Sequence, residues 1–457
     1  MSNAARHHLT SPSDGWPRPA YAWYVVFVLT VAYTFSFVDR QILSLLVGPI
    51  RRDLGLSDTQ IGLLQGLAFA VFYSLLGIPI ARLADHHSRR GIIAAGVGAW
   101  SLMTVACGFA RSYPALFAAR MGVGVGEAAL SPPAFSLLAD YFPPHRLSAA
   151  LGVYAMGIYI GAGLAYILGG AVISFASGID NIILPLIGPV FTWQMVFFLV
   201  GLPGLLVALL LWTVKEPARR GLAGEDSVKK VSFSAAVDFI FRRWRTFFPH
   251  FFGLSLLSMT GYGGAAWTPE FLIRVHGYGR IEVAYYYGLM VLVLAPVGVA
   301  GAGWLAGRMS ARGITDATMR IIAVAAVLLV PVGVAAPLQS SLPAMIGLAV
   351  PMIVLQAVPF GIGPAALQVI TPNRMRAQVS AVYILVINLI GLGLGPFFVA
   401  ALSQYVFADG MTLGWSLSIL HGLAPTAAAV IVFSGLRHYR QSYAGAASWR
   451  PRESARD

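Results

Sequence analysis

The stretch IIAAGVGAWSLMTVACGFA, residues 92–110, decides the fold. It carries no charge and is apolar on every side, and at about 1.5 Å rise per residue a helix of this length crosses roughly 30 Å of hydrocarbon. A barrel strand would instead alternate apolar and polar residues over about ten positions. In lipid the backbone must satisfy its own hydrogen bonds, so an unbroken apolar run of this kind is a spanning helix. Comparable runs recur along the whole chain, at about 21–48, 58–82, 91–110, 114–139, 147–175, 191–214, 248–272, 282–306, 315–336, 342–369, 376–406 and 413–436.

Composition agrees with this reading. Of the 457 residues, 58% are hydrophobic and 11% charged, against roughly 25% charged in a soluble domain. A water-soluble fold is excluded, and the expected class is an all-α polytopic membrane protein with twelve transmembrane helices. The single cysteine, Cys107, lies inside the third run, so it forms no intramolecular disulfide and reads as a packing residue.

The net charge of +13 is a topology signal before it is a nucleic-acid signal. Of the 31 Lys and Arg, only Arg51, Arg52, Arg111, Arg274 and Arg280 fall in odd-numbered connections, and Arg40 and Arg120 within spans. The others lie in the even connections and the termini or, as Arg82, Arg320 and Arg376, at the span ends that adjoin those connections, which places both termini in the cytoplasm and makes no case for nucleic acid as a partner. Residues 1–20 lack the apolar core of a signal peptide and are expected to form a disordered cytoplasmic tail, as are residues 437–457. Between spans 6 and 7 runs KEPARRGLAGEDSVKKVSFSAAVDFIFRRWR (215–245), the longest polar stretch, within a linker of 215–247 that joins a bundle at 21–214 to one at 248–436. Phe233, Val237, Phe241 and Trp244 fall at helical spacing opposite Lys230, Asp238 and Arg242. That pattern predicts an amphipathic helix, lying on the membrane surface or packed on the protein.

The two bundles echo each other. ARLADHHSRRG (81–91) after span 2 aligns without gaps to GWLAGRMSARG (303–313) after span 8, and PHRLSAALGVY (144–154) before span 5 aligns more loosely to PNRMRAQVSAVY (372–383) before span 11. Duplicated halves are a common plan for transporters.

These residues resemble the signatures of the major facilitator superfamily. The loop after span 2 is similar to its G-x-x-x-D-[RK]-x-G-[RK]-[RK] element, with Asp85, Arg89 and Arg90 in place and Ala81, His86 and Ser88 departing from it. In the second half Gly307 stands at the Asp position. RMGVGVGEA (120–128) resembles the R-x-x-x-G element of helix 4, and GIYIGAGLAYILGG (157–170) the glycine-rich element of helix 5 without its usual proline. Within the superfamily the chain is similar to the Spinster family, on FSFVDRQILSLL (35–46), GVGEAALSP (124–132) and KEPARRG (215–221). The resemblance implies two pseudo-symmetric six-helix bundles in the inner (plasma) membrane of a bacterium. It also implies alternating-access, proton-linked movement of a lysolipid (lysophospholipid) or sphingolipid-like amphiphile, sphingosine-1-phosphate in some eukaryotic members.

Charges within the membrane cost about 2.5–3.5 kcal/mol each on insertion scales, so they face a cavity or a partner. Asp39 and Arg40 lie on helix 1 at a depth compatible with Arg120 and Glu127 on helix 4, and the last two, seven residues apart, share a helix face. For Asp39 and Glu127, burial opposes the charge and a nearby arginine supports it, so each is positioned to load and release a proton as a cavity alternates between the two sides. Arg40 and Arg120 stay charged and either pair with these carboxylates or hold an anionic head group. The plainer alternatives are four fixed ion pairs locking two helices, and an Arg40 that snorkels to the interface. Asp85, Arg89 and Arg90 are expected to form a cytoplasmic gate in which Asp85 caps a neighbouring helix and the arginines bridge the halves.

Among the remaining polar residues in spans, Tyr33, Tyr159, Gln356 and Asn388 are candidates for a cavity lining, and Glu270 for the interface. His421 reads as a satisfied core histidine. The histidines do not cluster within spans and no G-x-x-x-x-G-K-[ST] loop occurs, so an enzyme acting on lipid and direct nucleotide coupling are both disfavoured. The expectation is a transporter with no cofactor and no metal, energised by the proton gradient, working as a monomer on a lipid-like small molecule. A transporter of another small organic molecule (sugar, organic acid or drug), or a facilitator uncoupled from protons, remains the alternative.

Overall fold

A computed structural model describes residues 16–176, 182–184, 188–219, 233–372, 375–408 and 410–446. Among the described residues the chain is all-α apart from one short hairpin. Its first half contains α1 (Pro19–Gln41), α2 (Val47–Leu54), α3 (Asp58–Gln65), α4 (Leu67–His86), α5 (Arg89–Phe109), α6 (Tyr113–Glu127), α7 (Ser131–Tyr141), α8 (Pro144–Ala176) and α9 (Thr192–Leu211). The hairpin, β1 (Ile182–Leu184) paired antiparallel to β2 (Gly188–Val190), joins α8 to α9. The second half contains α10 (Phe233–Arg242), α11 (Trp244–Arg274), α12 (Arg280–Ala311), α13 (Ala317–Ala335), α14 (Leu342–Val369), α15 (Arg376–Ile387), α16 (Leu394–Ala401) and α17 (Leu413–Gly445).

Helix occupies all twelve positions where apolar runs predict a span. Among the described residues, ten of these helices are long and apolar enough by themselves to cross a membrane. The other two are span 4, split into α6 and α7, and span 7, which is α11. Span 4 breaks at Ala128–Leu130 because Pro132 and Pro133 cannot supply the amide hydrogens that would continue the ladder. The bonds tighten there, with Leu130 N–H donating to the Glu127 carbonyl at 3.1 Å, and Glu127 ends α6. Span 1 also breaks, passing through a tight turn at Ile42–Leu45 just after Asp39 and Arg40. Both interruptions fall beside the buried charges.

Helix and apolar span are not the same length at the ends. The last helix runs on to Gly445, past the expected tail boundary at 437, because Tyr439 is buried and its hydroxyl donates to the Ala366 carbonyl at 2.9 Å. The Thr246 hydroxyl also donates to the His438 carbonyl at 3.2 Å. The linker ends earlier than 247, since α11 starts at Trp244. Within the linker α10 packs on the bundle, with Ala236 fully buried and Phe239 edge-on to Phe247 at 5.5 Å, while Phe241 stays 70% exposed. Of the expected tails, residues 1–15 and 447–457 lie outside the described residues, as do 220–232 of the linker.

The glycines of α8 are explained by a helix packed on two sides. Gly161 lies against the backbone of α1 at Thr34, and Gly163 against Gly288 and Leu292 of α12. Close backbone approach of this kind stands in for the hydrophobic drive that lipid does not provide. The contacts between the halves concentrate at the end away from the termini. There Arg274 of α11 donates to Asp58 of α3 at 2.8 and 3.2 Å, Arg280 of α12 donates to the Leu45 carbonyl, and the Thr59 amide donates to Gln404 at 3.0 Å. Gly66, between α3 and α4, faces the carbonyls of Leu392 and Gly393 so closely that an added Cβ would lie within 2.7 Å of both oxygens. Gly66→Val should therefore force the halves apart at this end. Maleimide labelling of a cysteine placed at the buried Thr59, in a Cys107→Ser background, is expected to rise severalfold in that variant, and an unchanged rate would show that Gly66 does not hold this seam.

Candidate functional site

The four intramembrane charges converge where broken helices 1 and 4 meet α4 and α5. Arg40 donates from Nε to Glu127 Oε2 at 2.7 Å, and the Ser36 hydroxyl, one helical turn earlier on α1, donates to the same oxygen. The Arg40 guanidinium is stacked among Phe37 (4.7 Å to the ring centre), Phe69 (4.5 Å) and Tyr73 (4.6 Å). An aromatic cage of this kind attracts a desolvated cation, and it turns Arg40 inward, which overturns the snorkelling alternative.

Asp39 does not pair with an arginine side chain. Its Oδ2 accepts from the Thr104 hydroxyl of α5 at 3.1 Å, while Arg120 donates from Nη1 to the Asp39 backbone carbonyl at 3.2 Å. Arg120 thus holds helix 1 by its backbone and leaves the carboxylate to a neutral donor. The residues are deeply buried: Asp39 is 2% exposed, and Arg120 and Glu127 1% each. Yet each keeps a buried polar atom with no hydrogen-bond partner: Asp39 Oδ1, Arg120 Nε and Glu127 Oε1. Gln65 Nε2 on α3 is in the same state. Buried polar groups are satisfied in the great majority of cases, so these four atoms are open to hydrogen bonds with a molecule that enters, water included.

A cavity of about 20 Å3 opens beside them, lined by Arg40, Gln65, Phe69 and Arg120 from the first half and Tyr262 and Pro396 from the second. That volume holds about one water molecule. The site therefore sits on the seam between the halves.

The other expected residues are placed as follows. Tyr33 stacks on Tyr154 of α8 at 4.6 Å and meets Phe37 edge-on, one ring away from Arg40. Tyr159 is half-buried against the core of the far end. Gln356 is not in the charged site: it meets His421 Nε2 at 2.8 Å, and His421 Nδ1 contacts the Leu417 carbonyl at 2.7 Å, so this histidine is a satisfied core residue. Asn388 is buried and opens the widened π-helical turn Asn388–Gly393 between α15 and α16. Glu270 is not interfacial. It is 4% exposed and bound to Arg274 at 3.2 Å and Arg280 at 3.8 Å within the far-end network.

The expected gate is built differently from the reading above. Arg89 is buried, and it binds Asp140 of α7, Glu216 at 2.8 Å, and the Ser136 carbonyl and hydroxyl at 3.1 Å. The Arg90 amide donates to Glu216 at 2.9 Å and its side chain to the Val214 carbonyl at 3.1 Å. All these partners belong to the first half, so in this conformation the arginines clamp α5 to α7 and to the end of α9 and do not bridge the halves. The side chain of Asp85 lies outside the described residues. Burial works against the Glu216 charge, but the Arg90 amide, the Arg89 guanidinium and the Ser88 hydroxyl outweigh it and hold this carboxyl below its ordinary value of 4.5.

Sequence reasoning missed Ser36, Thr104, Gln65, Asp140, Glu216 and the Asp58–Arg274 bridge. The one available signal was spacing, since Ser36 stands three residues before Asp39 and Gln65 interrupts the apolar stretch 61–72. Partners that come from different helices leave no pattern along the chain.

The sequence model of the Major Facilitator Superfamily matches residues 29–396. The chain belongs to this superfamily. A crystal structure of a bacterial homologue of the human lysosomal transporter Spinster, described as inward-facing and unoccupied, is 30% identical, covers 96% of this chain and 100% of its own, and superposes with a TM-score of 0.77. An MFS-type efflux pump of Mycolicibacterium smegmatis is 29% identical over 432 residues, 93% of this chain and 94% of the pump. Protein spinster of Drosophila melanogaster is 25% identical over 284 residues, 61% of this chain and 44% of that protein. The chain is thus a Spinster-like major facilitator, a membrane transporter and not an enzyme.

Two outcomes follow for this transporter. Arg40→Ala leaves Glu127 buried without its cation, a loss of about 3–5 kcal/mol. Chemical denaturation in detergent should show that loss, and Glu127→Gln added to Arg40→Ala should recover most of it. For Glu216, a depressed carboxyl contributes stability that is present above about 4.5 and lost as pH falls through its lower folded value. The melting temperatures of wild type and Glu216→Gln should therefore differ near neutral pH and approach each other as the pH falls below 4.5 through the lower folded value.

Proposed function

We propose that this transporter moves a lysolipid or sphingolipid-like amphiphile across the inner membrane of a bacterium by alternating access, coupled to protons through Asp39 and Glu127. The observation that carries this reading is the half-made ion pair: Glu127 gives one oxygen to Arg40 and Ser36 and keeps the other without a donor, in a buried site on the seam. An anionic head group that takes Arg40 bidentately leaves Glu127 without its cation, and a desolvated carboxylate without a cation takes up a proton. The reverse exchange releases both. The Glu127 carboxylate and the head group then compete for one arginine, so that proton and head group load together, which is the differential interaction that coupling requires. The aromatic rings around Arg40 and the apolar walls of both halves suit the tail.

Several further elements belong to the same proposal. The basic residues on the connections support a cytoplasmic side for both termini. With the bridges of Asp58 to Arg274 and Arg280 to Leu45 closed at the opposite end, this conformation is then inward-facing, as the similar bacterial Spinster homologue is described to be. Each chain encloses a complete pathway between its halves and acts as a monomer. The proton gradient is the energy source, with no bound cofactor or metal and no nucleic-acid partner. The arginine clamp on Glu216 keeps the first half rigid while the halves rock.

The test is reconstitution in liposomes with an internal pH dye. Lysophospholipids and sphingosine-1-phosphate are expected to drive proton flux that falls at least tenfold in Asp39→Asn and in Glu127→Gln, with sugars and organic acids inert. Flux with a sugar, organic acid or drug in place of lysolipid would transfer the proposal to that substrate class. Lysolipid movement without proton flux, equal in wild type and both neutralised variants, would make this an uncoupled facilitator with structural ion pairs.

A further inference from the structure

Three exposed tryptophans on the side of the termini each carry an arginine over or beside the ring. Trp212 at the end of α9 lies 5.1 Å from Arg90, Trp244 at the start of α11 lies 5.5 Å from Arg245, and Trp304 near the end of α12 lies 5.5 Å from Arg308. They are 59%, 55% and 65% exposed. Tryptophan with a cation beside it sits at head-group height, so the three pairs mark the level of the membrane interface on this side of the protein.

At that level, between the start of α11 and the end of α17, lies a cavity of about 450 Å3 that the transport site does not use. Its wall presents Arg242, Arg243, Arg245, His438, Gln441 and Ser442, and among the described residues no carboxylate lines it. Arg242 is held by Asp238 at 2.6 Å. Arg245 is exposed, and among the described residues no carboxylate pairs with it. The floor is closed by the Thr246 hydroxyl bonded to Ser442 at 2.8 Å. Below the cavity, toward the hydrocarbon, Trp244, Phe248 and Phe252 follow at four-residue spacing along one face of α11, 55%, 43% and 38% exposed, with the two phenylalanines stacked at 4.5 Å. Phe241 of α10 adds a ring that is 70% exposed. A basic cup thus adjoins an exposed apolar strip, with Trp244 common to both.

We infer that this cup binds the phosphate of an anionic phospholipid in the leaflet on the side of the termini, with an acyl chain lying along Phe248 and Phe252. Arginines near a membrane surface attract anionic lipid, a planar guanidinium matches phosphate oxygens, and the aromatic strip supplies contact that a soluble anion does not use. The lipid would fasten α10 and the linker to the second half, since Arg242 and Arg243 link the end of α10 to the start of α11.

The test is native mass spectrometry of the full chain released from micelles containing phosphatidylglycerol and phosphatidylcholine in equal amounts. Wild type is expected to retain phosphatidylglycerol preferentially. Arg245→Ala, at an exposed position that does not threaten folding, should lower that preference roughly fivefold, and Arg243→Ala added to it should lower it further. Arg245→Lys should keep most of it, and Arg312→Ala, an arginine on the same side but outside the cup, should leave it unchanged. An equal loss in Arg312→Ala would reduce the effect to general surface charge and overturn the site. Displacement of the lipid by millimolar inorganic phosphate would assign the cup to a soluble anion instead, and no preference in wild type would overturn it outright.

Discussion

The cost of holding ions in hydrocarbon organises the site end of this molecule. Arg40 and Glu127 are affordable at mid-depth only as neighbours, and bringing them together requires α1 and α6 to cross at a set height, with Ser36 as a second donor and a ring of Phe37, Phe69 and Tyr73 around the guanidinium. The breaks in spans 1 and 4 fall beside these charges, at Ile42–Leu45 and Ala128–Leu130. Irregular backbone at membrane depth is tolerated where it is enclosed by protein or lines a cavity, and here it does both. Arg120 extends the same economy by binding the carbonyl of Asp39, which ties helix 4 to helix 1 without neutralising the carboxylate.

The halves divide the labour unequally. The four mid-membrane charges are all in the first half, and the second half faces them with Tyr262, Ala266 and Pro396. Among its buried polar groups, His421 contacts both Gln356 and the Leu417 carbonyl. Charge in the second half stands at its two ends: on the side of the termini Arg320 and Arg440 bridge the buried Asp316 at 3.0 and 3.5 Å, and at the opposite end Glu270, Arg274 and Arg280 meet Asp58 and the Leu45 carbonyl. This last network spans the seam, so it must rearrange whenever that end opens, whereas the Arg89 clamp on Asp140 and Glu216 lies within one half and can persist through the cycle.

Membrane context sharpens the meaning of each polar residue. In a soluble protein a serine three residues before an aspartate is unremarkable. Here Ser36 and Thr104 are the neutral donors that reach the two buried carboxylates, and Gln65 waits at the edge of the same cavity with an unpartnered amide nitrogen. The interface side follows a different logic, with arginine set over tryptophan at three helix ends and basic side chains gathered where α11 begins.

What the sequence by itself determined was everything that depends on local pattern. Apolar runs long enough for the bilayer locate the helices, the echo of 81–91 in 303–313 marks the duplication, and charge in an apolar run singles out Asp39, Arg40, Arg120 and Glu127. Each of these follows from a cost that a residue incurs wherever the chain happens to fold around it. The tertiary structure alone decided who pairs with whom. That Arg40 takes Glu127 while Asp39 takes Thr104, that Glu270 is buried in a bridge, that Arg89 clamps one half, and that the last helix continues to Gly445 all depend on contacts between helices far apart in the chain. Many partners of the right charge stand at the same depth, and which of them meet is set by the crossing of helix backbones, at glycines such as Gly66 and Gly161 where no side chain keeps them apart.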